Sequence, residues 1–261
     1  MKPNGLKNKT RENHKIDGLS PDANKLRGHS EIINVETLTK NIDLAWETTR
    51  TPAEFRSKLL VIFRTTLSEG SNFIQDRFLS NNDGAEAVLA QAYLMDSLIK
   101  AALETVDTKL YRAPNPTRGE QLCIIAVGGY GRGELAPFSD IDLLFLLPYK
   151  QTPRVEQVVE TILYLLWDMK LKVGHSTRSI DECMRQAKAD MTVRTAILES
   201  RYICGEISLM EQMIARFREE IIKGSALEFV EAKLKESDDR HRQLGDSRYV
   251  IEPNIKDGKG G

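Results

Sequence analysis

Residues 127–147, VGGYGRGELAPFSDIDLLFLL, determine how the rest of this chain is interpreted. The apolar run QLCIIAV at 121–127 leads into this stretch and is rich in β-branched residues, which is typical of a buried strand. Four glycines then fall within the six residues 128–133. Glycines are retained where the backbone needs positive φ or approaches a ligand closely. Successive free amides in such a turn form an anion site that suits phosphates.

A second apolar strand follows the glycine turn and starts with two aspartates. Asp140 and Asp142 alternate with Ile141 and Leu143. Because strand side chains alternate between faces, we expect both carboxylates on one face and both apolar residues in the core. Neighbouring carboxylates repel each other, and a divalent cation relieves that repulsion. Mg²⁺ takes one or two carboxylates plus water and phosphate oxygens, so the pattern predicts magnesium chemistry on a nucleoside triphosphate.

The glycine turn and the Asp-x-Asp pattern also have other interpretations. A glycine turn after a strand is often only a turn, and Asp-x-Asp occurs by chance in exposed strands, but the two in this order with apolar flanks favour function. Residues 131–136, GRGELA, fit the dinucleotide fingerprint, which requires a following helix. Pro137 and the strand that starts at Asp140 leave no room for that helix. No Gly-Lys-Ser/Thr follows a glycine at P-loop spacing either.

The glycine turn and Asp-x-Asp resemble the signature of the nucleotidyltransferase superfamily, which has the polymerase-β-like fold. More narrowly, GGYGRGELAPFSDIDLL resembles the N-terminal catalytic domain of the bifunctional uridylyltransferase/uridylyl-removing enzymes, which modify the PII nitrogen-signalling protein. Three more blocks resemble that family: LLWDMKLKVGHSTRSIDEC at 165–183, LESRYICG at 198–205 and EPNIKDGKGG at 252–261. The resemblance implies an α+β fold, with a small mixed sheet and flanking helices, preceded and followed by helical segments.

The resemblance also implies a reaction and a site. The nucleotide would be UTP, the acceptor a tyrosine of PII, and the products uridylyl-PII and pyrophosphate; neither identity follows from the residues themselves. Asp140 and Asp142 would be catalytic and hold Mg²⁺. The candidate nucleotide-binding residues are Gly128, Gly129, Arg132, Ser139 and Arg178. Arg132 either contacts the triphosphate or is solvated, and Ser139 either binds a phosphate or caps the entry to the strand.

A third carboxylate is harder to assign. Members of the superfamily often carry one near the end of the next strand, where this chain has Lys170 and Lys172 instead. Asp168 is a candidate because an anion at a helix C-terminus opposes the macrodipole. Glu199 is another, and for both residues a surface carboxylate is the better explanation.

Other polar residues in the resembling blocks also have two interpretations. His175 suits a base near neutral pH or a phosphate contact, and it also suits an ordinary hydrogen-bonded histidine. Arg178, with five fixed donors, is the better phosphate ligand. Lys256 and Lys259 either reach the site or are solvated.

Composition narrows the class of protein. With 261 residues and 41% hydrophobic content, the chain can bury a sizeable core. A net charge of −1 gives no sign of a nucleic-acid or acidic-membrane partner. No run approaches the roughly 20 apolar residues of a membrane span. We therefore predict a soluble, cytoplasmic protein that binds no nucleic acid and no membrane.

The chain divides into four predicted segments: a disordered tail at 1–30, a helical segment at 31–112 packing on the catalytic domain, a catalytic core at 113–205 and a helical extension at 206–261. The resembling enzymes also carry an HD hydrolase domain and two ACT domains, so we expect this chain to be truncated before them. None of its four histidines is followed by Asp. The hydrolase half is therefore expected to be absent.

Finer patterns predict the main elements. Pro52 is expected to open a long helix, and another helix is expected over 85–110. A helix at 153–167 followed by an extended segment at 171–179 predicts a strand–helix–strand unit. Ser179 begins a capping-box pattern for the next helix.

Overall fold

The computed structural model describes residues 29–243 and arranges them as a four-stranded sheet with helices on both faces. The strands are β1 (Cys123–Ala126), β2 (Ile141–Leu147), β3 (Val173–Ser179) and β4 (Arg201–Gly205). The α-helices are α1 (His29–Ile32), α2 (Val35–Thr48), α3 (Pro52–Asn81), α4 (Gly84–Thr105), α5 (Gly128–Gly131), α6 (Pro153–Asp168), α7 (Ile180–Ala189), α8 (Met191–Leu198), α9 (Ile207–Phe217) and α10 (Ala226–Gln243). Most of the predicted tail, together with Lys256 and Lys259, lies outside the described residues.

The sheet has the strand order β3-β2-β1-β4 and is mixed. β1 pairs antiparallel with β2 on one side and with β4 on the other, whereas β2 pairs in parallel with β3. The parallel pair is joined through α6, as the sequence predicted. Thr152 caps α6 by accepting from the Val155 amide, and Pro153 starts the helix at a position where no amide donor is needed. The predicted small mixed sheet with flanking helices is confirmed.

Side chains of β2 alternate between two separate cores. One face packs against helices α2, α3, α4 and α6, and its β2 members are Ile141, Leu143, Phe145 and Leu147. The other face packs against α7, α8 and α9, and its β2 members are Leu144 and Leu146. By the same alternation, Asp142 lies on the face of Leu144. The carboxylate therefore faces the α7–α9 side of the sheet.

Capping residues set the ends of the helices that precede the sheet. Thr51 caps α3 ahead of Pro52, and Asn82 ends that helix in a left-handed conformation with φ of 54°. Asp83 then caps α4 through the Glu86 amide. The helix predicted from Pro52 is confirmed. The helix predicted over 85–110 is α4 followed by a single turn of π-helix at Val106–Leu110.

Helix α2 buries only part of its apolar residues. Val35 and Leu44 belong to the apolar pattern of α2 yet are exposed, whereas Leu38, Ile42 and Ala45 form its buried stripe. Within residues 29–243, no helix has both the length and the apolar character needed to cross a membrane.

The capping box at Ser179 is confirmed and starts α7 directly at the end of β3. Ser179 Oγ accepts from the Glu182 amide at 3.2 Å, and Glu182 Oε2 accepts from the Ser179 amide at 2.8 Å and from Ser179 Oγ at 3.0 Å. These hydrogen bonds from the Ser179 backbone and side chain lower the pKa of Glu182.

Replacing Ser179 by Ala should lower the free energy of unfolding by about 1 kcal/mol at pH 7. Because the folded-state pKa of Glu182 lies below its unfolded value, its contribution is present above the unfolded pKa and is lost as pH falls through the folded one. The difference between wild type and Ser179→Ala should therefore narrow in acid. Urea unfolding of both proteins at several pH values measures it.

Ser57→Ala is the matched control, since Ser57 is exposed on α3 and its Oγ donates to the Ala53 carbonyl in the same helix at 3.1 Å. Alanine has the higher helix propensity, so this control should be neutral or slightly stabilising. Equal destabilisation by the two substitutions would contradict a capping role for Ser179.

Candidate active site

A cleft of about 320 Å³ opens where the glycine turn, β2, β3 and α8 meet. It brings together three of the residues predicted from the sequence: Gly128, Asp142 and Arg178. The remaining lining residues are Val127, Leu143, Leu144, Gly174, His175, Ser176, Thr192, Val193, Ala196 and Ile197.

The glycine turn forms the short helix α5 and is tied to β2 at its base. The Gly131 amide donates to the Val127 carbonyl at 3.1 Å, which closes the helical turn. The Val127 amide donates to the Asp142 carbonyl at 3.0 Å. Gly128, with φ of +60°, starts the turn in a conformation that side-chain-bearing residues rarely adopt. Gly129 follows in the same helical turn.

The Asp142 carboxylate lies between two glycines. A Cβ atom added at Gly128 would stand 3.3 Å from Asp142 Oδ2, and one added at Gly174 would collide with Oδ1. Gly174 is the residue paired with Asp142 in the parallel β2–β3 ladder. A glycine inside a strand often marks the close approach of another group, and here that group is the carboxylate. The Asp142 carboxylate thus has room only because positions 128 and 174 are glycines.

Strand alternation decides which β3 residues share the face of Asp142. Ser176 and Arg178 pair with Leu144 and Leu146, so they share it with Gly174. His175 pairs with Leu143 and lies on the opposite face, where its ring is 5.7 Å from the ring of Trp167. The ring of His175 therefore packs on α6 and faces away from the Asp142 carboxylate. This position favours an ordinary histidine over a base or a phosphate contact.

Asp140 and Ser139 lie just before β2. The strand begins at Ile141, one residue later than predicted, and Asp140 is exposed outside it. The chain reaches this point through a turn in which the Ser139 amide donates to the Ala136 carbonyl at 3.1 Å, and Phe138 has φ of 65°. This turn delays the start of the strand. Neither Asp140 nor Ser139 is among the residues lining the cleft.

Arg132 and Glu199 are partners. Arg132 Nη1 lies 3.0 Å from Glu199 Oε1, and their side chains are 53% and 32% exposed. An exposed ion pair contributes about 0–1 kcal/mol, so it opens readily if a stronger anion arrives. The candidate nucleotide ligand and one candidate third carboxylate therefore neutralise each other in the ligand-free protein.

Asp168, the other candidate third carboxylate, is exposed at the end of α6. Its backbone carbonyl accepts from Arg64 at 3.2 Å and 2.5 Å, and it does not line the cleft. Across residues 29–243, no group of three or more His, Cys, Asp or Glu side chains is arranged to hold a metal ion. Any cation at Asp142 would need further oxygen ligands from substrate or water.

Helix α8 forms the far wall of the cleft, which was not predicted from the sequence. Asp190 caps the helix by accepting from the Thr192 and Val193 amides. Buried Arg194 donates to the Ala187 carbonyl at 3.1 Å, which fastens α8 to the end of α7. The wall itself is mostly apolar. The only sequence signal was the N-cap aspartate ahead of a short apolar segment.

Comparison with known families agrees with this geometry. Residues 117–203 match a family model described as a nucleotidyltransferase domain, and residues 228–261 match one described as GlnD PII-uridylyltransferase. Curated relatives of the uridylyltransferase/uridylyl-removing enzyme family are 48–55% identical to this chain over 80–91% of its length. The chain belongs to that family and carries its nucleotidyltransferase domain. The resemblance that the glycine turn and Asp-x-Asp suggested is confirmed.

Three curated relatives are named bifunctional uridylyltransferase/uridylyl-removing enzyme. The one from Azospirillum brasilense is 55% identical over 208 residues, which is 80% of this chain and 22% of the relative. The one from Rhodospirillum rubrum is 49% identical over 91% of this chain and 25% of the relative, and the one from Rhodopseudomonas palustris is 48% identical over 84% and 24%. The chain thus spans about a quarter of the length of these relatives.

In this nucleotidyltransferase domain, Gly174→Ala should displace the Asp142 carboxylate. We expect the affinity for a magnesium–nucleoside triphosphate to fall at least about tenfold, or 1.4 kcal/mol. Isothermal titration of the folded variant measures the change. Gly84→Ala is the control, because a Cβ at Gly84 meets nothing within 4 Å. Unchanged affinity in Gly174→Ala would show that the carboxylate does not need the space that Gly174 leaves.

Proposed function

We propose that this chain transfers UMP from UTP to a tyrosine hydroxyl of a PII protein, with release of pyrophosphate, in a magnesium-dependent reaction. The observation that carries the proposal is the Asp142 carboxylate, which faces a cleft between the glycine turn and Arg178. The names of the relatives and of the matching family model support the choice of uridylyl transfer and of PII.

The acidic residues of this region fit a magnesium ion. Asp142 presents hard carboxylate oxygens in a cleft kept open by two glycines, and Asp140 is exposed two residues earlier in the chain. Magnesium needs only one or two carboxylates when substrate phosphates and water complete its coordination. Asp142 and Asp140 would hold the ion, which would neutralise the charge that develops on the α-phosphate and pyrophosphate.

The other cleft residues have complementary tasks in this proposal. Backbone amides at Gly128 and Gly129 hold the outer phosphates, because amides at the start of a helical turn have no intrahelical acceptor. The forked guanidinium of Arg178 donates to phosphate oxygens from the β3 side. Arg132 exchanges Glu199 for the triphosphate when nucleotide binds. Ser139 precedes Asp140 in the exposed turn and donates to a phosphate.

Bond changes in the reaction are simple. The tyrosine hydroxyl gives up its proton to solvent, and its oxygen forms a bond to the α-phosphorus. The bond from that phosphorus to the bridging oxygen breaks, and pyrophosphate leaves with the electron pair. The chain's contribution is to align the triphosphate and to stabilise charge as it moves onto the leaving group. The apolar wall of α8 provides a surface for the nucleoside and keeps water from that side of the cleft.

A second candidate is a nucleotide-binding regulatory module without turnover. Among residues 29–243, Asp142 is the only carboxylate that lines the cleft, and the lack of a further metal ligand there favours this second candidate. The two candidates differ in one measurement: label moves from nucleotide to PII in the first and only binds in the second. A sibling transferase that uses another nucleotide is identified by competing ATP, CTP and GTP against labelled UTP.

Asp142→Asn should reduce label transfer from α-labelled UTP to PII by at least about 100-fold, comparable to the loss of a major transition-state contact. The substitution keeps the shape of the side chain and removes its charge. Asp168→Asn is the matched control, since Asp168 is an exposed carboxylate outside the cleft. Its activity should match wild type. Transfer by Asp142→Asn at the wild-type rate would contradict the proposed site.

A further inference from the structure

A buried ion pair lies beneath the glycine turn and joins two distant parts of the chain. Arg201, at the start of β4, donates through Nη1 to Asp96 Oδ2 at 2.5 Å and through Nη2 to Asp96 Oδ1 at 3.1 Å. Asp96 belongs to α4. The two side chains are only 4% and 6% exposed. Two parallel hydrogen bonds from one guanidinium fix both position and orientation.

Tyr130 is the third member of this network and belongs to the glycine turn itself. Its hydroxyl donates to Asp96 Oδ1 at 2.5 Å, and its carbonyl accepts from Arg201 Nη2 at 3.3 Å. The Arg201 guanidinium carbon lies 5.3 Å from the centre of the Tyr130 ring. Tyr130 is 1% exposed and is the large side chain among the glycines of α5. The turn is therefore held by both its side chain and its backbone.

The protonation states needed for this network are favoured by its surroundings. Burial and the neighbouring Asp96 carboxylate raise the pKa of Tyr130 well above its ordinary value, so the phenol remains a donor. Burial by itself lowers the pKa of Arg201, but the hydrogen bonds and charge of Asp96 outweigh it and the pKa is raised. Asp96 thus accepts three hydrogen bonds from two protonated partners.

Stability alone does not account for this arrangement. Buried ion pairs contribute little net stability compared with apolar residues of similar volume, because desolvation cancels most of the attraction. Arg201 Nε is also buried, and it has no hydrogen-bond partner within the described part of the chain. The network instead fixes the orientation of Tyr130.

We propose that Asp96 and Arg201 are positioning residues that act through Tyr130 to hold the glycine turn against Asp142. Gly128 lies two residues before Tyr130 in the same helical turn, and a Cβ atom added to it would stand 3.3 Å from Asp142 Oδ2. A rotation of the turn about its base would carry Gly128 and its amide away from the carboxylate. Helix α4, which lies in the predicted helical segment at 31–112, thereby supports the nucleotide site through Asp96. The catalytic consequence rests on the function proposed above.

Tyr130→Phe tests the network, since it keeps the ring and removes the hydroxyl. Hydrogen exchange of the 261-residue chain without nucleotide should be about tenfold faster at the amides of Gly131, Arg132 and Gly133, which donate hydrogen bonds within the turn. The lost hydrogen bond to a carboxylate favours opening of the turn by that factor. Exchange in β1 should not change. Binding of magnesium–UTP should weaken by a similar factor, and KM for UTP should rise more than kcat falls.

Tyr202→Phe is the matched control. Tyr202 also lies on β4, but its hydroxyl donates to the Gly205 carbonyl outside the network. It should leave exchange in the turn and nucleotide affinity unchanged. Asp96→Asn, which removes the charge and keeps the shape, should reproduce the effect of Tyr130→Phe on the turn if the variant folds.

The outcomes separate the positioning role from the proposed function. Unchanged exchange in the turn of Tyr130→Phe, or equal acceleration throughout the sheet, would overturn the positioning role. If wild type neither binds UTP nor transfers label, the proposed function fails, and the exchange measurement alone still decides whether the network holds the turn. Local acceleration in Tyr130→Phe with normal UTP affinity would also overturn the proposal, because the turn would then not need to be fixed.

Discussion

The Asp142 carboxylate occupies space that exists only because the two backbones beside it carry no side chains. Gly174 faces it from the parallel strand, and Gly128 faces it from the turn. This arrangement requires the observed register of β2 and β3. A shift of β3 by one residue would place a residue with a side chain, instead of Gly174, beside Asp142. The parallel ladder pairs Asp142 with Gly174, and the hydrogen bond from the Val127 amide to the Asp142 carbonyl ties the turn to β2. The candidate site is thus a consequence of how three backbone segments meet.

Helices from both ends of the described chain hold these segments in place. The N-terminal helices and α6 cover one face of the sheet with a single continuous apolar core, and α7–α9 cover the other. The two layers meet the site differently: α8 supplies a wall of the cleft, whereas α4 reaches the turn through the buried pair of Asp96 and Arg201. The sheet and its N-terminal helices therefore share one core, and the site draws on both.

Local signals in the sequence predicted the local parts of this structure. The glycine run, the apolar strands around it, the α6–β3 unit and the cap at Ser179 follow from residues within a few positions of one another. Long-range features were not predicted. The short strand β4 has no clear hydrophobic period, because it contains the charged residue Arg201. The partner of Arg201, Asp96, lies 105 residues earlier in the chain. The role of Gly174 depends on strand register, and the pairing of Arg132 with Glu199 depends on how α8 packs, neither of which the sequence reveals.

The most direct test of the account is a crystal structure of the chain with manganese and a non-hydrolysable UTP analogue. Manganese reports its position through anomalous scattering and substitutes for magnesium at oxygen ligands. We expect a manganese ion bonded at about 2.1 Å to a carboxylate oxygen of Asp142. We also expect the triphosphate to lie between the glycine turn and Arg178. A nucleotide bound elsewhere, or a metal without a bond to Asp142, would contradict this expectation.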